Sequence, residues 1–95
     1  MGKVAVHGFG RIGRSVTKIA LKNNLWAPVS ISDIRDIPTL AGVFEVDSNY
    51  GRWHEKVEAK EKGFSIGGRD ILYFDSSKDI PDWKALGVDL VIDCT

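Results

Sequence analysis

Three glycines at the spacing G-x-G-x-x-G, namely Gly8, Gly10 and Gly13, stand directly behind the short apolar run Val4-Ala5-Val6. Glycine loses more backbone freedom on folding than any other residue, so three within six positions need a physical reason. The residues before them are small or β-branched, which predicts a buried strand over 3–7. Behind them the period changes. Ile12, Val16, Ile19 and Ala20 recur at i, i+4, i+7 and i+8, which predicts a helix over 11–23 with those four facing inward. Arg14, Thr17, Lys18 and Lys22 fall elsewhere on the wheel, and Asn23-Asn24 supplies a stop. In residues 28–33, Val29 and Ile31 alternate with Ser30 and Ser32, giving a second strand that ends at Asp33. Strand, glycine turn, helix, strand is a βαβ crossover.

That crossover accounts for the glycines if it receives a dinucleotide. Gly8 then permits the tight turn out of the strand, Gly10 lets backbone approach a pyrophosphate, and Gly13 lets helix and strand pack closely. The phosphates meet the free N–H groups and positive end of the helix, where Arg11 and Ile12 contribute amides whatever their side chains do. Asp33 follows Gly13 by twenty positions. A carboxylate there accepts hydrogen bonds from the ribose hydroxyls of NAD and repels the 2′-phosphate of NADP, with Arg35 nearby weighing the other way. The kinase glycine loop shares the spacing, but it lies between two strands and precedes a V-A-I-K-like segment that does not follow here. A phosphate-binding or purely structural βαβ turn, and a solvated Asp33, stay open as plainer readings.

Further along, Asp36 is a candidate cap and Pro38 suits a first helical turn, with Leu40, Ala41 and Phe44 as the apolar face. Residues 56–62 and 64–74 read as an antiparallel meander, turning at Gly63 and again at Gly67-Gly68. Asp79, Pro81, Trp83 and Leu86, closed by Gly87, outline a brief helix, and 88–93 a last strand. The expected fold class is α/β, a Rossmann-type parallel βαβ sheet with an inserted antiparallel meander.

The formal net charge is zero, which offers no footprint for nucleic acid or an anionic membrane. No secretory h-region and no spanning apolar run occurs, and the single cysteine, Cys94, cannot form an internal disulfide. The cytoplasm is the expected place. Cys94 reads as a small hydrophobe at a strand end, His7 and His54 as turn or strand residues, and Trp26, Trp53 and Trp83 as packing anchors. The charge run 54–63 reads as a solvated face, and no metal-ligand spacing is evident.

The segments VAVHGFGRIGR (4–14), ISD (31–33), FEVDSNYGRWH (44–54) and DLVIDCT (89–95) resemble the amino-terminal portion of the phosphorylating glyceraldehyde-3-phosphate dehydrogenases. The likeness runs in order over residues 3–95, and the erythrose-4-phosphate dehydrogenases share the motifs. It implies that residues 1–95 are a partial NAD-binding Rossmann domain, truncated before the catalytic domain. It further implies that Phe9, Gly10, Arg11 and Ile12 lie against the NAD pyrophosphate and that Asp33 holds the adenosine ribose. Thr95 matches the threonine of the family's S-T-G segment, which lines the cofactor cleft.

Several residues depart from the family pattern. His7 and Ser32 stand where asparagines are usual, Tyr50 where a histidine is, and Ser76-Ser77 where Glu-Arg is common, the arginine flanking adenine. The family's nucleophilic cysteine, in an S-C-T-T-N segment, and its histidine base have no counterpart in these residues. The resemblance thus implies the NAD-binding portion of a glycolytic enzyme that oxidises glyceraldehyde 3-phosphate with NAD and phosphate. These residues alone would then be inactive, with the remainder of the enzyme or other subunits of a homotetramer as partners. A fragment acting only as a nucleotide-binding or interaction module is the alternative.

Overall fold

The alternations and periods resolve into six strands and two helices in the computed structural model, which describes residues 2–46, 55–78 and 80–95. Tyr50, Trp53, His54, Asp79 and most of the 44–54 motif lie outside them. In chain order the elements are β1 (Val4–His7), α1 (Arg11–Lys22), β2 (Pro28–Asp33), α2 (Ile37–Val46), β3 (Val57–Ala59), β4 (Gly63–Ile66), β5 (Arg69–Asp75) and β6 (Leu90–Asp93).

One sheet has the order β3-β4-β5-β2-β1-β6. β5, β2, β1 and β6 are parallel neighbours, and β3 and β4 extend the sheet antiparallel, as the meander reading expects. β1 leads through α1 to β2 on one side, whereas β6 returns to its other side. The carboxyl ends of β1 and β6 therefore flank the point where strand order reverses, the place where open α/β sheets bind ligands.

One face of the sheet carries the core, in which Val6, Phe9, Leu21, Ile31, Leu40, Phe44, Phe64, Ile66 and Ile71 share a continuous cluster. Phe9 stacks on Phe44 with centroids 5.7 Å apart, and Lys18 Nζ lies 4.8 Å from the Phe44 centroid, so the glycine turn and an α1 side chain both reach α2. Because strand side chains alternate, Ala5, His7, Ser30 and Ser32 face the other way. The Trp83 ring meets His7 there, edge-on at 5.4 Å.

α2 begins as its sequence signals: the Asp36 side chain accepts from Thr39 N at 2.8 Å and its carbonyl from Leu40 N at 3.1 Å. α1 ends at Lys22, with Asn24 left-handed at φ 53°. Its rotation departs from the expected one. Gly13, Arg14, Thr17, Ala20 and Leu21 are buried, whereas Ile12 is 68% exposed and Ile19 58%. The cause is backbone contact. A Cβ at Gly13 would lie 2.3 Å from the Gly8 carbonyl oxygen, so that position faces β1 and fixes the rotation. Thr17, one turn on, donates to Gly13 O at 2.8 Å.

Three other expectations shift. Gly63 belongs to β4, where a Cβ would meet Ile71 O at 1.9 Å, so close strand approach rather than a turn requires it. The brief helix around 81–87 is a run of turns. The Asp82 carboxylate accepts from Ala85 N at 3.2 Å, and Gly87 at φ 73° ends the segment before a helical repeat is established. The last strand starts at Leu90 rather than 88, because Asp89 N and Leu90 N both turn to Lys3 O, at 2.8 and 3.2 Å.

Candidate functional site

The glycine turn joins three elements. Gly8, at φ 92°, occupies a conformation that side chains disfavour. A Cβ on it would stand 2.9 Å from the Cys94 carbonyl carbon and 3.0 Å from Thr95 N. Its own N–H donates to Ser32 O at 2.7 Å, and Cys94 N donates to His7 O at 2.8 Å. The turn is thus clamped between the ends of β2 and β6, which brings Thr95 beside Gly8. The Thr95 hydroxyl and amide donate to Asp93 Oδ1 at 2.6 and 3.1 Å, and these bonds hold the Asp93 carboxyl below the usual range. Burial, and then the Asp93 charge, push the Cys94 thiol up, which suits the packing role expected for it over a nucleophile.

Gly10 caps α1 without any side-chain bond. A Cβ there would project into open space, meeting nothing nearer than Arg35 Nη2 at 3.8 Å. Arg14 N bonds Gly10 O at 2.9 Å, the first full helical bond of α1. The amides of Arg11, Ile12 and Gly13 precede it and have no partner within the helix. The side chains of Arg11 and Ile12 are exposed. Phe9 behaves differently from its neighbours: its ring is 1% exposed in the core, and its N–H donates to Asp33 Oδ2 at 2.7 Å. Arg14, buried below the turn, donates from Nη1 to Phe9 O at 3.0 Å.

Asp33 closes the site from β2. The residue is 6% exposed, and its carboxylate accepts from four donors: Phe9 N, Arg35 N at 2.9 Å, Arg35 Nε at 3.0 Å and Arg35 Nη2 at 3.1 Å. Burial is the largest single influence on this carboxyl and opposes its charge, but the bonds from Arg35 and Phe9 together outweigh it and hold it at about 2. The Arg35 loop is pinned behind: the Tyr73 hydroxyl reaches the carbonyls of Asp33 and Arg35, and Ser76 N donates to Asp33 O at 3.0 Å.

Gly8, Phe9, Gly10, Arg11, Ile12, Gly13, Asp33 and Thr95 therefore converge on the carboxyl ends of β1, β2 and β6. Sequence spacing missed that the Phe9 amide donates to Asp33 and that Arg35 forks onto the same carboxylate. The signal for the second was present, an arginine two residues beyond a strand-end aspartate. Chemically, the corner pairs amide donors at a helix mouth with an acceptor carboxylate at the end of the next strand, a combination suited to a dinucleotide.

Comparison with known proteins agrees. Residues 2–95 match the family described as "Glyceraldehyde 3-phosphate dehydrogenase, NAD binding domain". A glyceraldehyde-3-phosphate dehydrogenase of Thermotoga maritima is 43% identical over the whole chain, one of Clostridium acetobutylicum 38%, and one of Borreliella burgdorferi 40% over 98% of it. The chain spans 29% of the length of the first two and 28% of the third. With the glycine turn, the parallel sheet and the whole-length match all in agreement, the chain belongs to the glyceraldehyde-3-phosphate dehydrogenase family, as its NAD-binding domain.

Proposed function

We propose that the α1 mouth is where NAD lies. The amides of Arg11, Ile12 and Gly13 receive the pyrophosphate, Gly10 leaves room for it, Asp33 takes the adenosine ribose, and Thr95 lines the cleft. The observation that carries this is the bare Gly10 position beside the α1 amides, where a Cβ would meet only the Arg35 guanidinium that sits on Asp33. Phe9 acts at one remove, orienting Asp33 through its amide. When bound, NAD supplies a hydride acceptor, and these residues bind and orient it.

The wider activity belongs to the same proposal: oxidation of glyceraldehyde 3-phosphate with NAD and phosphate, in the cytoplasm, by an enzyme whose remaining parts and other subunits are the partners of residues 1–95. The catalytic cysteine and histidine of the family lie outside this domain, so the 95 residues alone turn over no aldehyde.

Calorimetric titration with NAD tests the site. The wild type is expected to bind, Gly10→Val to lose binding while keeping its fold, and Asp33→Ala to bind more weakly. Unchanged affinity in Gly10→Val overturns the placement. Dehydrogenase turnover by these residues, free of any other polypeptide, overturns the division of labour. Assay of the full-length enzyme with glyceraldehyde 3-phosphate and erythrose 4-phosphate identifies the aldehyde.

A further inference from the structure

We propose that Arg35 is a specificity-determining residue for the nucleotide: placed on Asp33 at the α1 mouth, its guanidinium receives a 2′-phosphate, so that the site accepts NADP as well as NAD. This deepens the proposal above and rests on Asp33 being the ribose end of the site.

Acceptor capacity carries it. A carboxylate offers about four acceptor positions, and Asp33 has four donors. Phe9 N and Arg35 Nη2 share Oδ2, while Arg35 N and Nε share Oδ1. A ribose hydroxyl can reach this carboxylate only by displacing an N–H, and the two backbone donors are fixed by the turn. The guanidinium is the part that can leave, because the Arg35 side chain is 43% exposed. The loop stays in place without it, held by Arg35 N on Asp33 and by the Tyr73 hydroxyl.

What the displaced guanidinium meets next differs between the two nucleotides. With NAD it returns to water. With NADP it finds a phosphate whose oxygens match its fork, a partner stronger than a neutral hydroxyl. Nη2 already stands 3.8 Å from where a Gly10 Cβ would be, on the ligand side of the carboxylate. Arg35 also offsets the Asp33 charge that would repel a phosphate. Asp36, Asp75 and Asp93 also edge this corner as charged groups, each hydrogen-bonded within its own loop. Asp36 accepts from Thr39 N, Asp75 from the Ser77 amide and hydroxyl, and Asp93 from the Thr95 amide and hydroxyl. Asp33 is the carboxylate among them that carries a guanidinium. Ser76, beside Asp33, adds no acidic group.

The test is calorimetric titration of the full-length protein with NAD, NADP, ADP and 2′,5′-ADP, for the wild type, Arg35→Ala and Arg35→Lys. The wild type is expected to bind NADP within about tenfold of NAD. Arg35→Ala should weaken NADP and 2′,5′-ADP by about tenfold or more while NAD holds or tightens, and Arg35→Lys should fall between. A wild type that binds NAD but rejects NADP by about a hundredfold or more overturns the proposal alone, as does an Arg35→Ala that weakens both equally. A wild type that binds neither NAD nor ADP overturns the ribose assignment and this role together. If Arg35→Ala fails to fold, the wild-type ratio of 2′,5′-ADP to ADP decides, since preference for unmodified ADP by that factor is equally fatal.

Discussion

His7 Nδ1 lies 2.6 Å from Ser32 Oγ, across paired positions of β1 and β2. The resemblance sets both residues apart from the family pattern, and the structure joins them in one bond. It sits on the face that Trp83 covers, next to the carbonyl of Ser32 that receives Gly8 N. A double-mutant cycle with His7→Ala and Ser32→Ala is expected to show a coupling of about 1 kcal/mol in chemical denaturation. Simple additivity of the two changes refutes a shared contribution.

The glycines divide between ligand and fold. Gly13→Ala should lower stability by about 3 kcal/mol, because its Cβ would stand 2.3 Å from a backbone oxygen that cannot swing aside. Gly10→Ala meets only open space and should unfold at nearly the wild-type denaturant midpoint. Comparable losses at both positions contradict the division.

Rotation of α1 is testable in the same way. Ile19→Lys should change stability by no more than about 0.5 kcal/mol, since the side chain is 58% exposed. Leu21→Ala, in the core, should cost about 2–5 kcal/mol. The opposite ranking would restore the inward face expected from periodicity.

Acid should loosen the turn. The Asp33 carboxyl is held at about 2, below its ordinary 3.8, so the charged form favours the fold. Its contribution is fully present above the ordinary value and is lost as pH falls from there toward 2. Asp36, Asp75 and Asp93 are also lowered, so Asp33→Asn should reduce, without abolishing, the fall in melting temperature across that window. An unchanged slope in Asp33→Asn removes the role of this carboxylate.

Much of this was legible from spacing. The strand–turn–helix–strand order follows from local period, and the duties of Gly8 and Gly13 from where a Cβ is forbidden, a constraint that local sequence records. Asp36 as a cap and the stop at Asn23-Asn24 are equally local. The α1 face was not legible, because Ile12 and Ile19 satisfy a helical period that the contact between Gly13 and Gly8 overrules. Arg14, polar and yet buried, finds a partner at Phe9 O, an acceptor that only the folded turn presents, while Thr17 bonds back to Gly13 O within α1. The turns at 83–87 mimic a helix because Asp82 makes a capping bond without enough residues behind it. Gly63 could signal a turn or a close approach, and only the strand opposite decides.

Phe9 gives its amide to Asp33 and its ring to Phe44. One residue thereby ties the Asp33 carboxylate at the rim to the second helix in the interior. Displacing that carboxylate would therefore press on the stacked rings, and loosening α2 would in turn release it. The aim of the carboxylate at this rim is only as sharp as the aromatic packing beneath it is stiff.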